Sequence, residues 1–154
     1  MLKYAGYDIV FQEFPDEVTL AVNLTCCPNH CPGCHSAYLQ RDTGEELSER
    51  RLLELIRNYN GDITCVGLMG GDNDPASVVR LLARVKAEYP QLRTGWYSGR
   101  SELPQEFDAT AFDYVKLGGY VASLGPLKER TTNQRLFRYA ADGSRTDITP
   151  RFWR

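Results

Sequence analysis

No stretch of this 154-residue chain approaches the roughly 18–20 consecutive apolar residues that cross a bilayer. The opening residues, Met1-Leu2-Lys3-Tyr4-Ala5-Gly6-Tyr7-Asp8, place an acid early and contain no apolar signal core. Together these absences predict a cytoplasmic protein with no membrane partner. Neither sign of charge is in excess: Lys and Arg number 18, Asp and Glu 20, for a net charge of −2. Such a balance gives no general attraction to nucleic acid, which is not expected as a partner. Repeats, low-complexity tracts and linkers are missing too. The expectation is one domain over 1–154, with a core at about 18–137 and a C-terminal hairpin over 136–149 that turns at Asp142-Gly143. An apolar fraction of 42% is ordinary for a globular chain, and this length buries a core without disulfides. Cysteine is scarce outside one place. Of five, four are Cys26, Cys27, Cys31 and Cys34, and the fifth is Cys65. In a reducing compartment an odd, clustered set more often binds metal than forms disulfides.

The apolar pattern alternates between strands and helices. Tyr7 to Phe14 reads as an edge strand stopped by Pro15, and Val18 to Leu24 as a buried strand of near-continuous apolar character. The cysteine loop follows it. Ser48 is the expected N-cap of a helix to about Tyr59, with Leu52, Leu55, Ile56 and Tyr59 on one face. Ile63 to Met69 is the next strand, broken by Gly70-Gly71. Asp74-Pro75 pairs an N-cap with an N1 proline, and Val78, Leu81, Leu82, Val85 and Tyr89 form the stripe of the second helix. Leu92 to Tyr97 and Phe112 to Leu117 are further strands, ended by Ser98-Gly99 and Gly118-Gly119, and a short helix is expected near Ser101 to Phe107. This order predicts an α/β fold with a parallel sheet. Strand C-termini in such folds share one rim where sites gather, so the loops at Cys27–Cys34, Gly70–Asp72 and Ser98–Gly99 are expected to meet.

Thiolates bind soft metals and iron–sulfur clusters. Cys27, Cys31 and Cys34 pack three of them into eight residues. That set can hold three irons of a four-iron cluster and leave the fourth open to a substrate. The spacing also admits a Cys₃His zinc site, with His30 and His35 close by, or no metal at all. Pro28, Pro32 and Gly33 suit a tight wrap in every case. Most structural zinc sites add a second ligand pair a dozen or more residues away, and only Cys65 lies beyond, inside an apolar strand that suits a plain core residue. Cys26 adjoins Cys27, and neighbours in extended chain face opposite ways, so it is not expected to ligate beside it. Gly70-Gly71-Asp72 reads either as a turn into the second helix or as an open backbone edge with a carboxylate for a ligand's ammonium group.

The Cys-x₃-Cys-x₂-Cys loop after the first core strand, with a Gly-Gly-acid triplet after the next, resembles the radical S-adenosylmethionine (radical SAM) enzymes. Cys31-Pro32-Gly33-Cys34-His35, the strand end Val115-Lys116-Leu117-Gly118 and Thr131-Thr132-Asn133-Gln134-Arg135-Leu136 are similar to the activating proteins of anaerobic ribonucleoside-triphosphate reductases. The resemblance implies a trimmed partial (β/α) barrel. It implies that Cys27, Cys31 and Cys34 bind a 4Fe–4S cluster whose fourth iron is chelated by S-adenosylmethionine. It further implies an electron passed from a small donor protein such as a flavodoxin, cleavage to methionine and a 5′-deoxyadenosyl radical, and a glycyl radical made on the partner reductase. By position, Gly70, Gly71 and Asp72 hold the ligand's amino group, Tyr97, Ser98 and Gly99 line the adenosyl pocket, and Lys116 pairs with the carboxylate. An activase of another glycyl-radical enzyme is the alternative. The chain departs from the family where Asp72 replaces the usual glutamate, where Asn73-Asp74 intervene before Pro75, and where Gly33 precedes the third cysteine.

Overall fold

The computed structural model describes residues 1–29 and 37–153. One eight-stranded mixed sheet runs through the chain. In chain order its strands are β1 (Lys3–Val10), β2 (Thr19–Leu24), β3 (Glu45–Glu46), β4 (Cys65–Met69), β5 (Arg93–Tyr97), β6 (Tyr114–Leu117), β7 (Arg135–Tyr139) and β8 (Arg145–Asp147). Their order across the sheet is β3-β1-β2-β4-β5-β6-β7-β8. β2, β4, β5 and β6 are parallel neighbours, and antiparallel pairs flank them on both sides. The expected parallel sheet is therefore the central half of a mixed one. No strand pairing joins β3 to β8 among the described residues, so the fold stands as mixed α/β.

Two helices, α1 (Glu49–Tyr59) and α2 (Pro75–Glu88), begin where their capping chemistry places them. Ser48 accepts from the Arg51 amide and Asp74 from the Ser77 amide, each satisfying an N–H that the first turn leaves without a partner. Leu52, Leu55 and Ile56 of α1 and Val78, Leu81, Leu82 and Val85 of α2 enter one core with Leu20, Val22, Leu68, Trp96 and Val115 of the central strands. Alternate strand residues face opposite ways, so the set between them lies on the other face. There, Phe14 is fully buried and packs with Cys65, Tyr114 and Leu136.

Phe14 explains why β1 departs from expectation. The strand stops at Val10, and residues 11–16 turn over the sheet instead of continuing to Phe14. The Phe14 ring sits over Gly67 and Gly95, where a Cβ at 67 would come within 2.9 Å of Cε2. It packs edge-on to Tyr97 and stacked on Tyr114, each with centroids 5.2 Å apart. Burial of an aromatic side chain outweighs two or three more ladder bonds on an outer strand. Nor is β1 the edge, because Glu45 and Glu46 pair outside it.

The expected helix at Ser101–Phe107 is a run of bends and turns. Pro104 supplies no amide hydrogen and disfavours helical geometry at Leu103. A single 3₁₀ turn at Ala109–Ala111 follows, capped by Asp108. The C-terminal hairpin forms as expected from β7 and β8 around Asp142-Gly143, and a 3₁₀ turn at Thr149–Trp153 ends the described chain. No helix among the described residues is long and apolar enough to cross a membrane.

At the far end from the strand C-termini, Glu17 is 7% exposed and holds three partners. Arg93 pairs with it at 2.9 Å, Tyr114 donates its hydroxyl at 2.7 Å and Thr64 donates at 2.7 Å. Burial first, and then the Glu17 carboxylate, push the Tyr114 phenol above its ordinary range. The folded state therefore favours the neutral phenol. That stability is fully present below the unfolded phenol pKa of about 10 and is lost as pH rises past it toward the folded value. The urea midpoint is expected to fall as pH rises from about 10 to about 12, and Tyr114→Phe to fall less over the same interval. Equal slopes for the two proteins would refute the assignment.

Candidate functional site

The strand C-termini end in a ladder that carries past the strands. The Gly70 amide donates to the Tyr97 carbonyl at 2.9 Å and the Ser98 amide to the Lys116 carbonyl at 2.9 Å. Gly70 and Gly71 both take positive φ, 108° and 99°. At Gly71 a Cβ would come within 2.6 Å of Val78 and 2.9 Å of Leu24, so a side chain is excluded by backbone and by packing. This turn lifts Asp72 over the end of β5.

Asp72 is 7% exposed and receives three hydrogen bonds. Ser98 Oγ donates to Oδ1 at 2.6 Å, the Gly99 amide to Oδ2 at 2.8 Å and Asn29 Nδ2 to Oδ2 at 2.6 Å. The same Asn29 nitrogen lies 3.5 Å from Cys27 Sγ. Residues 27–29, the described part of the first rim segment, thus meet the other two, joined through one carboxylate and one carboxamide. A carboxylate has about four lone-pair positions, so Asp72 retains roughly one for a further donor. Asn29 carried no signal in the sequence. It is a polar residue inside a tight loop, a place where asparagine is ordinary.

Cys27 is anchored by its own amide, which donates to the Leu39 carbonyl at 3.0 Å. Its half-buried thiol borders a cavity of about 190 Å³ whose lining includes Asn29, Gly70, Asp72, Tyr97, Gly99 and Lys116. Lys116 is 7% exposed, donates to the Gly118 carbonyl at 2.9 Å and lies 5.3 Å from the Tyr97 ring centre. The Tyr97 hydroxyl donates to the Glu13 carbonyl, which ties the 11–16 turn to the rim. Cys31, Cys34, His30 and His35 lie outside the described residues. Among the described residues no three His, Cys, Asp or Glu side chains gather as a metal site.

The other two cysteines stand apart. Cys65 starts β4, at the opposite end of the strand from Met69, and is fully buried. Burial pushes its thiol up, so it stays protonated. Cys26 takes a left-handed φ of 61°, and its Sγ reaches Asp42 Oδ1 at 3.5 Å on the side of Lys3. It turns away from Cys27 as expected, although a local twist replaces the extended chain assumed for it.

Asn23, Met69, Tyr97 and Lys116 are register partners in one row across β2, β4, β5 and β6. They lie one row above the Phe14 plug, on the face opposite the helices, and floor a groove of about 500 Å³ that shares Met69, Tyr97, Lys116, Tyr120 and Gln134 with the Cys27 cavity. One wall is Gln12 and Glu13, and the other is Pro126, Leu127 and Phe152. Trp153 secures that second wall. Its indole donates to the Leu127 carbonyl at 3.0 Å, and Arg130 and Arg135 lie 5.7 Å and 5.9 Å from its ring. Phe11, Val121 and Leu124, on the two wall segments, are exposed by 67%, 39% and 37%.

No family model matches the chain, and no solved structure matches it. Among curated proteins it is similar to Dicer-like protein 2-2 of Aspergillus niger, with 28% identity over 68 residues, which is 44% of this chain and 5% of that protein. The chain spans about a twentieth of that relative's length. A match this short establishes no family membership.

Proposed function

We propose that this chain is a radical SAM activase of the trimmed-barrel type, which makes a glycyl radical on an anaerobic ribonucleotide reductase. The observation that carries the reading is the junction of the cysteine loop with the Gly-Gly-Asp turn: Cys27, Asn29, Asp72 and Gly99 line one cavity, and Ser98 is bonded to the same Asp72. The donor set fits an iron–sulfur cluster with one open iron. Three thiols fall within eight residues, and Cys27 faces the cavity beside an N–H donor. When bound, the cluster would supply the electron that cleaves the sulfonium C–S bond of S-adenosylmethionine.

The protein's own contribution is placement. Asp72 offers an acceptor to the ligand's ammonium group, and Lys116, which lines the same cavity, offers a cation for its carboxylate. Ser98 and the Gly99 amide hold Asp72 in orientation. A carbon radical abstracts hydrogen with little discrimination, so access must be controlled by the walls. The groove over Asn23, Met69, Tyr97 and Lys116 supports a polypeptide substrate, because it is open, continuous with the cavity, and walled by polar Gln12 and Glu13 on one side and by Pro126, Leu127 and Phe152 with Lys128 on the other.

The test is anaerobic reconstitution with iron and sulfide, then electron paramagnetic resonance of the reduced protein with and without S-adenosylmethionine. A 4Fe–4S signal that changes shape with the ligand is the expected result. Co-incubation with the reductase and with other glycyl-radical enzymes then identifies the partner by the glycyl radical signal. A colourless protein holding about one zinc would replace this reading with that of a binding module.

A further inference from the structure

We propose that Asn29 is the positioning residue that couples the cysteine loop to the Gly-Gly-Asp turn, and that it sets the reduction potential of the bound cluster. The inference rests on the activase reading and deepens it. Asn29 Nδ2 carries two hydrogens and has two acceptors, Cys27 Sγ at 3.5 Å and Asp72 Oδ2 at 2.6 Å. The orientation of the carboxamide is dictated by its surroundings. Turned over, its oxygen would face a thiolate and a carboxylate, both acceptors. The pocket around it is shaped to fit. A Cβ at Gly99 would stand 2.5 Å from Nδ2 and 3.4 Å from Asp72 Oδ2, so the glycine leaves room for the amide while its own N–H binds the same carboxylate.

Two consequences follow from the chemistry. An N–H directed at a ligating sulfur withdraws negative charge from it and favours the reduced, more negative cluster, which raises the potential. The second hydrogen holds Asp72 against the same loop, so ligand binding at Asp72 is felt at Cys27 through one rigid amide. A thiolate alone would not provide this link, since no direct bond joins Cys27 to Asp72 among the described residues.

Wild type, Asn29→Leu and the smaller Asn29→Ala are reconstituted anaerobically, and their iron content, midpoint potential and S-adenosylmethionine-induced spectral change are measured. Both variants are expected to hold the cluster at a more negative potential. A tenfold fall in the reduced-to-oxidised ratio at fixed poise corresponds to about 59 mV for a one-electron couple. The ligand-induced spectral change is expected to weaken in both. Asn29→Asp, which sets a carboxylate against Asp72 and the thiolate, is expected to lower iron uptake. If the variants load fully and their potentials equal that of wild type, Asn29 only braces the loop and the proposal is overturned. If wild type itself takes up no iron–sulfur cluster, the activase reading fails and this inference falls with it, a result recognisable before any variant is compared.

Discussion

Replacing Cys27 with alanine is expected to abolish reductive cleavage of S-adenosylmethionine, with methionine release falling to the level of a protein-free control. Cys27 is the one thiol of the triplet whose surroundings are described. Its amide is fixed on the Leu39 carbonyl and its sulfur faces Asn29 at the cavity mouth. In the proposed cluster, loss of one of the three ligands would leave a second iron without a protein ligand, so iron content is expected to fall with activity. Cys31→Ala should behave in the same way. Cys26→Ser is the matched control, because that side chain turns toward Asp42; it is expected to keep both iron and cleavage. Cleavage retained by Cys27→Ala, or lost equally in Cys26→Ser, would remove the ligand assignment.

The largest effects on stability are expected where the Phe14 ring rests on Gly95, a contact remote from the rim. A Cβ added at Gly95 would fall against Cζ, Cε1 and Cε2 of Phe14, and the ring has nowhere to go because Tyr97 and Tyr114 hold it on two sides. Overpacking of this kind costs about 1–3 kcal/mol. In a chain of this length each kcal/mol lowers Tm by roughly 2–4 °C. Phe14→Ala alone removes a fully buried ring, at about 3–5 kcal/mol. The double variant is expected to lose less than the sum, since the methyl at 95 then fills part of the space the ring vacates. Strict additivity in thermal unfolding would mean that the ring does not rest on Gly95. A further expectation concerns the groove. Its floor begins one residue pair above this plug, so Phe14→Ala should also slow any reaction with a protein substrate more than cleavage without one.

Much of this arrangement was legible in the sequence, and the reasons are local. Ser48 and Asp74-Pro75 mark helix starts because capping is settled by residues three apart in the chain. The three rim loops could be expected to meet because parallel strands send their C-termini to one edge. What escaped is non-local. Phe14 was read as the end of a strand, since nothing in its neighbourhood reveals two glycines at 67 and 95 waiting beneath it. Glu45 and Glu46, two exposed acids, gave no β signal and still extend the sheet past β1. The short helix expected near Ser101 to Phe107 had no clear apolar pattern behind it, and Leu103 and Phe107 pack against the helix-side core from turns around Pro104. Asn29 is the clearest case. Its role depends on partners at 27, 72 and 99 that only the folded rim brings together.

The two tryptophans of the chain fall on opposite sides of the sheet, and this offers an optical handle on the rim. Trp96 is fully buried on the helix side and donates its indole hydrogen to the Gly70 carbonyl at 2.6 Å, directly beneath the Gly-Gly turn. Trp153 stands behind the groove wall, bonded to Leu127. Exchanging Trp153 for phenylalanine would leave a single tryptophan, selectively excited at the red edge of aromatic absorption, whose wavelength and intensity report on the turn at Gly70. Ligand entry could then be followed by fluorescence in the colourless apoprotein, before any iron is added.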